Sequence, residues 1–157
     1  MSKKTIFIFA IFQFFVSCGF TPTLKILNDT ENDTSVYYEI INTSYNARDT
    51  LRNLLNGIDK NSAEYLLEIQ VIESESAVNI ESNGSVVEYR VEAIIQYKLF
   101  SVDKDVLIHS SQTRGLANYD VSSSEYSNAL VKKEAQKTAV TEALQLMNII
   151  VQSKINE

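Results

Sequence analysis

Between Val86 and Phe100 the side chains alternate without a break. Val87, Tyr89, Val91, Ala93, Ile95, Tyr97 and Leu99 fall on one side, and Glu88, Arg90, Glu92, Gln96 and Lys98 fall on the other. A period of two held this long is incompatible with a helix, whose faces repeat every 3.6 residues, and it specifies a half-buried strand. At about 3.4 Å per residue such a strand runs on the order of 45 Å, well beyond the common five or six residues. Any fold for this chain must therefore supply long neighbours on both edges of that strand and a covering layer for its apolar side.

The flanking segments provide them. Tyr65 to Glu75 alternates in the same way, with Leu67, Ile69 and Val71 opposite Glu68 and Gln70, and Asn83-Gly84 offers a turn that tolerates positive φ, so the two strands form a hairpin. Asp103-Lys104-Asp105 makes the next turn, and Val106 to Tyr119 returns as a strand that weakens towards Gly115. Val36 to Ile41 reads as a first strand. Thr43 or Ser44 caps a helix over 45–56, with Leu51, Leu54, Leu55 and Ile58 on one face and Gly57 ending it. Ser122, with Glu125 three residues on, has the spacing of a capping box. It opens a long helix over 125–154, whose Ala135, Ala139, Ala143, Leu146, Met147 and Ile150 recur every three or four residues. The order is β-α-β-β-β-α. The simplest arrangement is an α+β two-layer sandwich: a four-stranded, mostly antiparallel sheet with two helices on one face and a polar second face.

The N-terminus has a different character. Lys3 and Lys4 precede an apolar run from Ile6 to Phe15, and Val16-Ser17-Cys18 follows. Basic residues, a short hydrophobic stretch, a small residue and a cysteine form the order of a bacterial lipoprotein signal, from which Phe15 departs where Leu is usual. The run is shorter than the roughly 20 residues a membrane-spanning helix needs. The expected organisation is a signal over 1–17, a lipidated tether over 18–35 beginning at Cys18, and a single α+β domain over 36–157. Acyl chains on Cys18 would hold the protein to a membrane, each buried methylene contributing about 0.8 kcal/mol. Gly19, in place of the Asp that retains bacterial lipoproteins at the inner membrane, points to the outer membrane and the periplasm-facing side.

Removing the first 17 residues takes the formal charge from −6 to −8, which argues against nucleic acid as a partner, since that binding depends on a basic surface. Cys18 is the only cysteine, so the domain has no internal disulfide. No catalytic constellation is visible. His109, the sole histidine, lies in a strand pattern without a nucleophile elbow, and there is no phosphate-binding glycine loop and no Cys/His ligand set, so neither cofactor nor metal is expected. The acidic stretch over 28–34 lacks the ligand spacing of a calcium loop. Tyr89, Tyr97 and Tyr119 read as sheet-packing residues. Arg90, Lys98 and Arg114, with Lys132 and Lys133, are the basic groups an anionic ligand would meet.

Three stretches together resemble LptE, the family of lipopolysaccharide-assembly lipoproteins. They are the start Cys18-Gly19-Phe20-Thr21-Pro22, the strand from Tyr89-Arg90-Val91 to Tyr97, and Ala117-Asn118-Tyr119-Asp120-Val121 leading through Ser124 and Tyr126 into an Ala-rich helix. The likeness is best over 85–155; between Pro22 and Asn83 only the element order supports it. The resemblance implies a non-enzymatic outer-membrane lipoprotein with two helices on a four-stranded sheet. It implies a plug inside a large β-barrel, LptD, whose assembly it assists, and contact with lipopolysaccharide, for which Arg90, Lys98 and Arg114 are the candidates. Two other readings are an accessory lipoprotein of a lipid-transport ABC system and a lipoprotein hydrolase using His109.

Overall fold

In a computed structural model the described residues are 36–157, so the expected signal, Cys18 and the tether lie outside them. Strands β1 (Val36–Ile40), β2 (Tyr65–Ile80), β3 (Val86–Ser101) and β4 (Val106–Asp120) form one sheet in the order β1-β2-β3-β4. β1 runs parallel to β2, and the other pairs are antiparallel. Helix α1 (Tyr45–Leu54) links β1 to β2 through a single 3-10 turn at Lys60–Ser62, and α2 (Glu125–Ile155) follows β4. The expected order and two-layer architecture are those observed.

Both helices contribute to one core on one face of the sheet. Leu67, Ile69 and Val71 from β2 and Val91, Ala93, Ile95, Tyr97 and Leu99 from β3 are buried there against Leu51 of α1 and Ala139, Ala143, Leu144 and Met147 of α2. The long alternation of β3 thus projects every second side chain into this layer, as its period requires.

The elements differ from their sequence patterns at definable places. β2 continues to Ile80, five residues past the alternating stretch, because 76–80 pair with Arg90 through Val86 across register shifts at Ala77/Asn79 and Asn79/Ile80. A bulge breaks the period of two, so the alternation ends before the strand does. The hairpin closes at Gly84, whose φ of 87° suits glycine.

α1 stops at Leu54, and Ile58 lies outside it with its N–H on the Val36 carbonyl at 3.3 Å. Gly57 is not a helix cap. A Cβ there would stand 2.9 Å from the Tyr38 ring, so its lack of a side chain serves a close approach. Of the two expected N-cap residues, Ser44 caps the helix, accepting from the Ala47 N–H at 3.2 Å. Thr43 instead extends the sheet, its Oγ1 accepting from the Val71 N–H at 3.1 Å where β1 has ended. Ser124, not Ser122, caps α2, accepting from the Ser127 N–H. Ser122 is tied to Asn128 by two hydrogen bonds of 2.7 and 2.9 Å instead.

At Gly115 the backbone of α2 meets β4. A Cβ built there would lie 2.0 Å from the Ala139 carbonyl oxygen and 2.8 Å from the Ala143 nitrogen. Thr113, two residues earlier on the same face, donates its hydroxyl to the Ala143 carbonyl at 2.7 Å in a buried position. The small residues Ala135, Ala139 and Ala143 at i, i+4 spacing give α2 a narrow face that can come this near. What reads in the sequence as a weakening of the strand is a close backbone contact between the two layers.

Candidate functional site on the uncovered sheet face

Side chains at even positions over 66–76 of β2, 88–100 of β3 and 110–120 of β4, together with Tyr37 and Leu107, point away from the helices, and this second face has no covering layer among the described residues. Its middle is polar. Glu68, Gln70, Gln96, Lys98, Ser110 and Gln112 line an open depression of about 480 Å³. The expected uniform polarity does not hold over the whole face, however. Ile72 and Leu116 are exposed further along, and one end carries an apolar row formed by Tyr37, Leu66, Phe100 and Leu107.

The three candidate cations Arg90, Lys98 and Arg114 all lie on this face and are all exposed. They are not contiguous. Arg90 is paired in register with Asn118, Lys98 with Ser110, and Arg114 with Ile94, so the three are spaced four residues apart along β3. That is about 13 Å between neighbours. Carboxylates stand between them: Arg114 is bonded to Glu92 at 2.5 Å, and Arg90 donates to Asn118 at 3.0 Å, which itself donates to Glu88 at 2.8 Å. Lys98 sits opposite Glu68. The face is a mixed-charge surface with exposed arginines, each able to exchange its partner at small cost because exposed pairs contribute only about 0–1 kcal/mol.

Lys132, by contrast, is drawn to the helical side. Its Nζ bonds Glu75 at 2.5 Å, and Glu75 also accepts from the Tyr119 hydroxyl, while Tyr119 stacks on Tyr89 with ring centroids 5.6 Å apart. Burial pulls the Glu75 carboxyl upward, but the hydrogen bonds from Lys132 and Tyr119 and the lysine charge outweigh it and hold the group below the usual carboxylate range. Burial first, then the adjacent carboxylate, pushes the Tyr119 phenol well above its ordinary value. A carboxyl lowered on folding contributes stability above its unfolded pKa and loses it as pH falls through the folded value. Glu75→Gln is therefore expected to cost about 1 kcal/mol at neutral pH and to flatten the decline of stability below about pH 5, in urea titrations over a pH series. An unchanged acid limb would show the cluster to be inert.

His109 is half-buried against Tyr97, with ring centroids 5.9 Å apart, and its Nε2 is buried without a hydrogen-bond partner among the described residues. A general base needs its nucleophile within hydrogen-bond reach. Tyr97 itself is buried, which pushes its phenol above its ordinary value, and its hydroxyl likewise has no hydrogen-bond partner among the described residues. No group of three or more metal-ligating side chains is placed to hold a metal ion among the described residues. No described helix is long and apolar enough to cross a membrane.

The family model for lipopolysaccharide assembly, LptE, matches residues 31–148, three-quarters of the chain. The chain belongs to the LptE family. Lipopolysaccharide assembly is thus the process in which it takes part, as a member of a family of non-enzymatic lipoproteins. No protein with curated function matches it in sequence.

Solved structures share the fold. A Caulobacter crescentus protein assigned as a lipoprotein superposes with a TM-score of 0.62 at 17% identity, covering 78% of this chain and 91% of its own. A minor lipoprotein from Acinetobacter baumannii gives 0.56 at 13%, covering 78% and 92%. Lipoprotein B from Nitrosomonas europaea gives 0.54 at 16%, covering 77% and 86%. The coverage of nearly the whole of each relative leaves the two-layer sandwich as the shared unit.

Proposed function

We propose that this LptE-family chain is an outer-membrane lipoprotein, anchored through Cys18 and facing the periplasm, that plugs an LptD-like β-barrel, helps it assemble and takes part in passing lipopolysaccharide to the cell surface. The family match over 31–148 carries this reading. The uncovered sheet face supports it physically. The interior of a large outer-membrane barrel is polar and wet, and the middle of this face, with its Gln, Ser, Glu and Lys side chains, suits such a lumen without the desolvation that an apolar one would impose. On this reading Arg90, Lys98 and Arg114 meet lipopolysaccharide phosphates, with Arg114 leaving Glu92 for the stronger bidentate phosphate contact.

The test is a pull-down of the tagged full-length protein from detergent-solubilised outer membrane, with mass spectrometry of what co-purifies. A large barrel at a one-to-one ratio is the expected result. Recovery alone, or with inner-membrane transporter subunits, would overturn the plug and favour an accessory role in a lipid-transport ABC system.

A further inference from the structure

The apolar row on the uncovered face has a definite place. Tyr37 pairs with Leu66, Leu66 with Phe100, and Phe100 with Leu107, so one line of apolar side chains crosses all four strands. The next row out, at the very end of the sheet, is Val36, Tyr65, Ser101 and Val106, which alternates to the helical side of the sheet. Beyond it the β3–β4 turn adds Val102. A register shift next to Phe100 leaves Ile108 without a partner on β3. Val102, Val106, Leu107 and Ile108 are 45%, 53%, 48% and 39% exposed. These four large aliphatic side chains lie within seven residues, Leu107 on the uncovered side and Val106 on the helical side, so the exposed apolar surface is the end edge of the sheet, of the kind that marks a contact surface.

The same row fixes where the chain enters the domain. Val36, the first described residue, is three strand spacings from Val106, about 14 Å. The segment that leads back to Cys18 therefore leaves from the apolar end of the sheet and not from the Gly84 hairpin at the other end.

We infer that this end is a membrane-contact surface: Val102, Val106 and Leu107, with the row behind them, rest on the lipid bilayer to which the N-terminus is tied. The inference rests on the proposed lipid anchor, which raises the local concentration of bilayer around that end. Two lysines lie beside the patch, Lys60 with its Nζ 5.8 Å from the centre of the Tyr37 ring and Lys104 in the turn. Lysines at an apolar margin direct their charge to headgroups. Asp59, Glu64, Asp103 and Asp105 outnumber them, so the contact suits zwitterionic phosphatidylethanolamine and gains nothing from anionic lipid.

The test uses the full-length acylated protein, whose only cysteine is Cys18. A single free cysteine is introduced by Val102→Cys, or at the opposite hairpin by Asn83→Cys, and carries an environment-sensitive fluorophore. The labelled proteins are reconstituted into phosphatidylethanolamine vesicles with a minor share of phosphatidylglycerol and a quencher on the acyl chains. The expected result is quenching of the probe at position 102 several-fold stronger than at position 83, unchanged by salt and reduced to the position-83 level by adding Val106→Ser and Leu107→Ser.

Flotation of the protein with the vesicles without preferential quenching at position 102 would overturn the contact while leaving the anchor intact. A blue-shifted probe that lipid quencher does not reach would overturn it too, showing protein over the patch. Failure to float would count against the anchor, and the same labels with excess vesicles would then decide the contact alone.

Discussion

Gly115→Ala is expected to destabilise the domain by about 3 kcal/mol or more, read as a fall in the urea midpoint. The methyl group has no room: its carbon would sit 2.0 Å from the Ala139 carbonyl oxygen and 2.8 Å from the Ala143 nitrogen. Both neighbours are helix backbone, which cannot rotate aside as a side chain would. Relief requires α2 to retreat from β4 by more than an ångström, and that motion breaks the Thr113 hydroxyl bond to Ala143 and loosens the packing of Ala139 and Ala143, both fully buried. Against a total stability of roughly 5–15 kcal/mol the loss is large.

Gly84→Ala provides the contrast. It has open space around it but a φ of 87°, so the cost there is backbone strain of about 1–2 kcal/mol. A Gly115→Ala protein within 0.5 kcal/mol of the parent would mean that the helix does not lie this close.

Leu51→Ala is expected to cost about 2–5 kcal/mol and to release α1 before the rest of the domain. Leu51 is fully buried and is the one large side chain of α1 that is, with Ala47 beside it and Leu54 and Leu55 only half-buried. At ten residues the helix is too short to persist on its own in water, so it exists because that side chain is held. Ala47, Leu54 and Leu55 add smaller or half-buried apolar contacts, and the polar ties to the rest of the domain are exposed: the Ser44 hydroxyl on Glu73, and Asn46 to Gln136 at 3.5 Å. Hydrogen exchange should show protection lost first over Tyr45–Leu54 while β2 and β3 stay protected. Retention of α1 protection with uniform loss elsewhere would place the weak point outside this helix.

These two positions differ in how they appear in the sequence. Leu51 stands in an amphipathic pattern with a capping serine before it, so its role follows from local periodicity. Gly115 carries no such signal, because a glycine in a strand reads as a weak strand until the helix on top of it is known. The extension of β2 to Ile80 was hidden for a related reason, since a bulge cancels the alternation by which strands are recognised. The same limit applied to the candidate site. Arg90, Lys98 and Arg114 could be placed on a polar strand face from their parity alone, but their separation along β3 and the carboxylates between them come from the pairing of β3 with its neighbours.

What the sequence determined by itself was therefore the set of elements, their order and which side of each strand is apolar, because these depend on neighbours two to four residues apart. It also carried enough scattered likeness to point to the family. The tertiary structure alone decided the facts that join distant residues: the contact of Gly115 with Ala139 and Ala143, the capture of Lys132 by Glu75, and the apolar row of Tyr37, Leu66, Phe100 and Leu107. Those four residues come from four strands and lie up to 70 positions apart. Strand register, set when all the apolar faces are buried together, is what places them side by side.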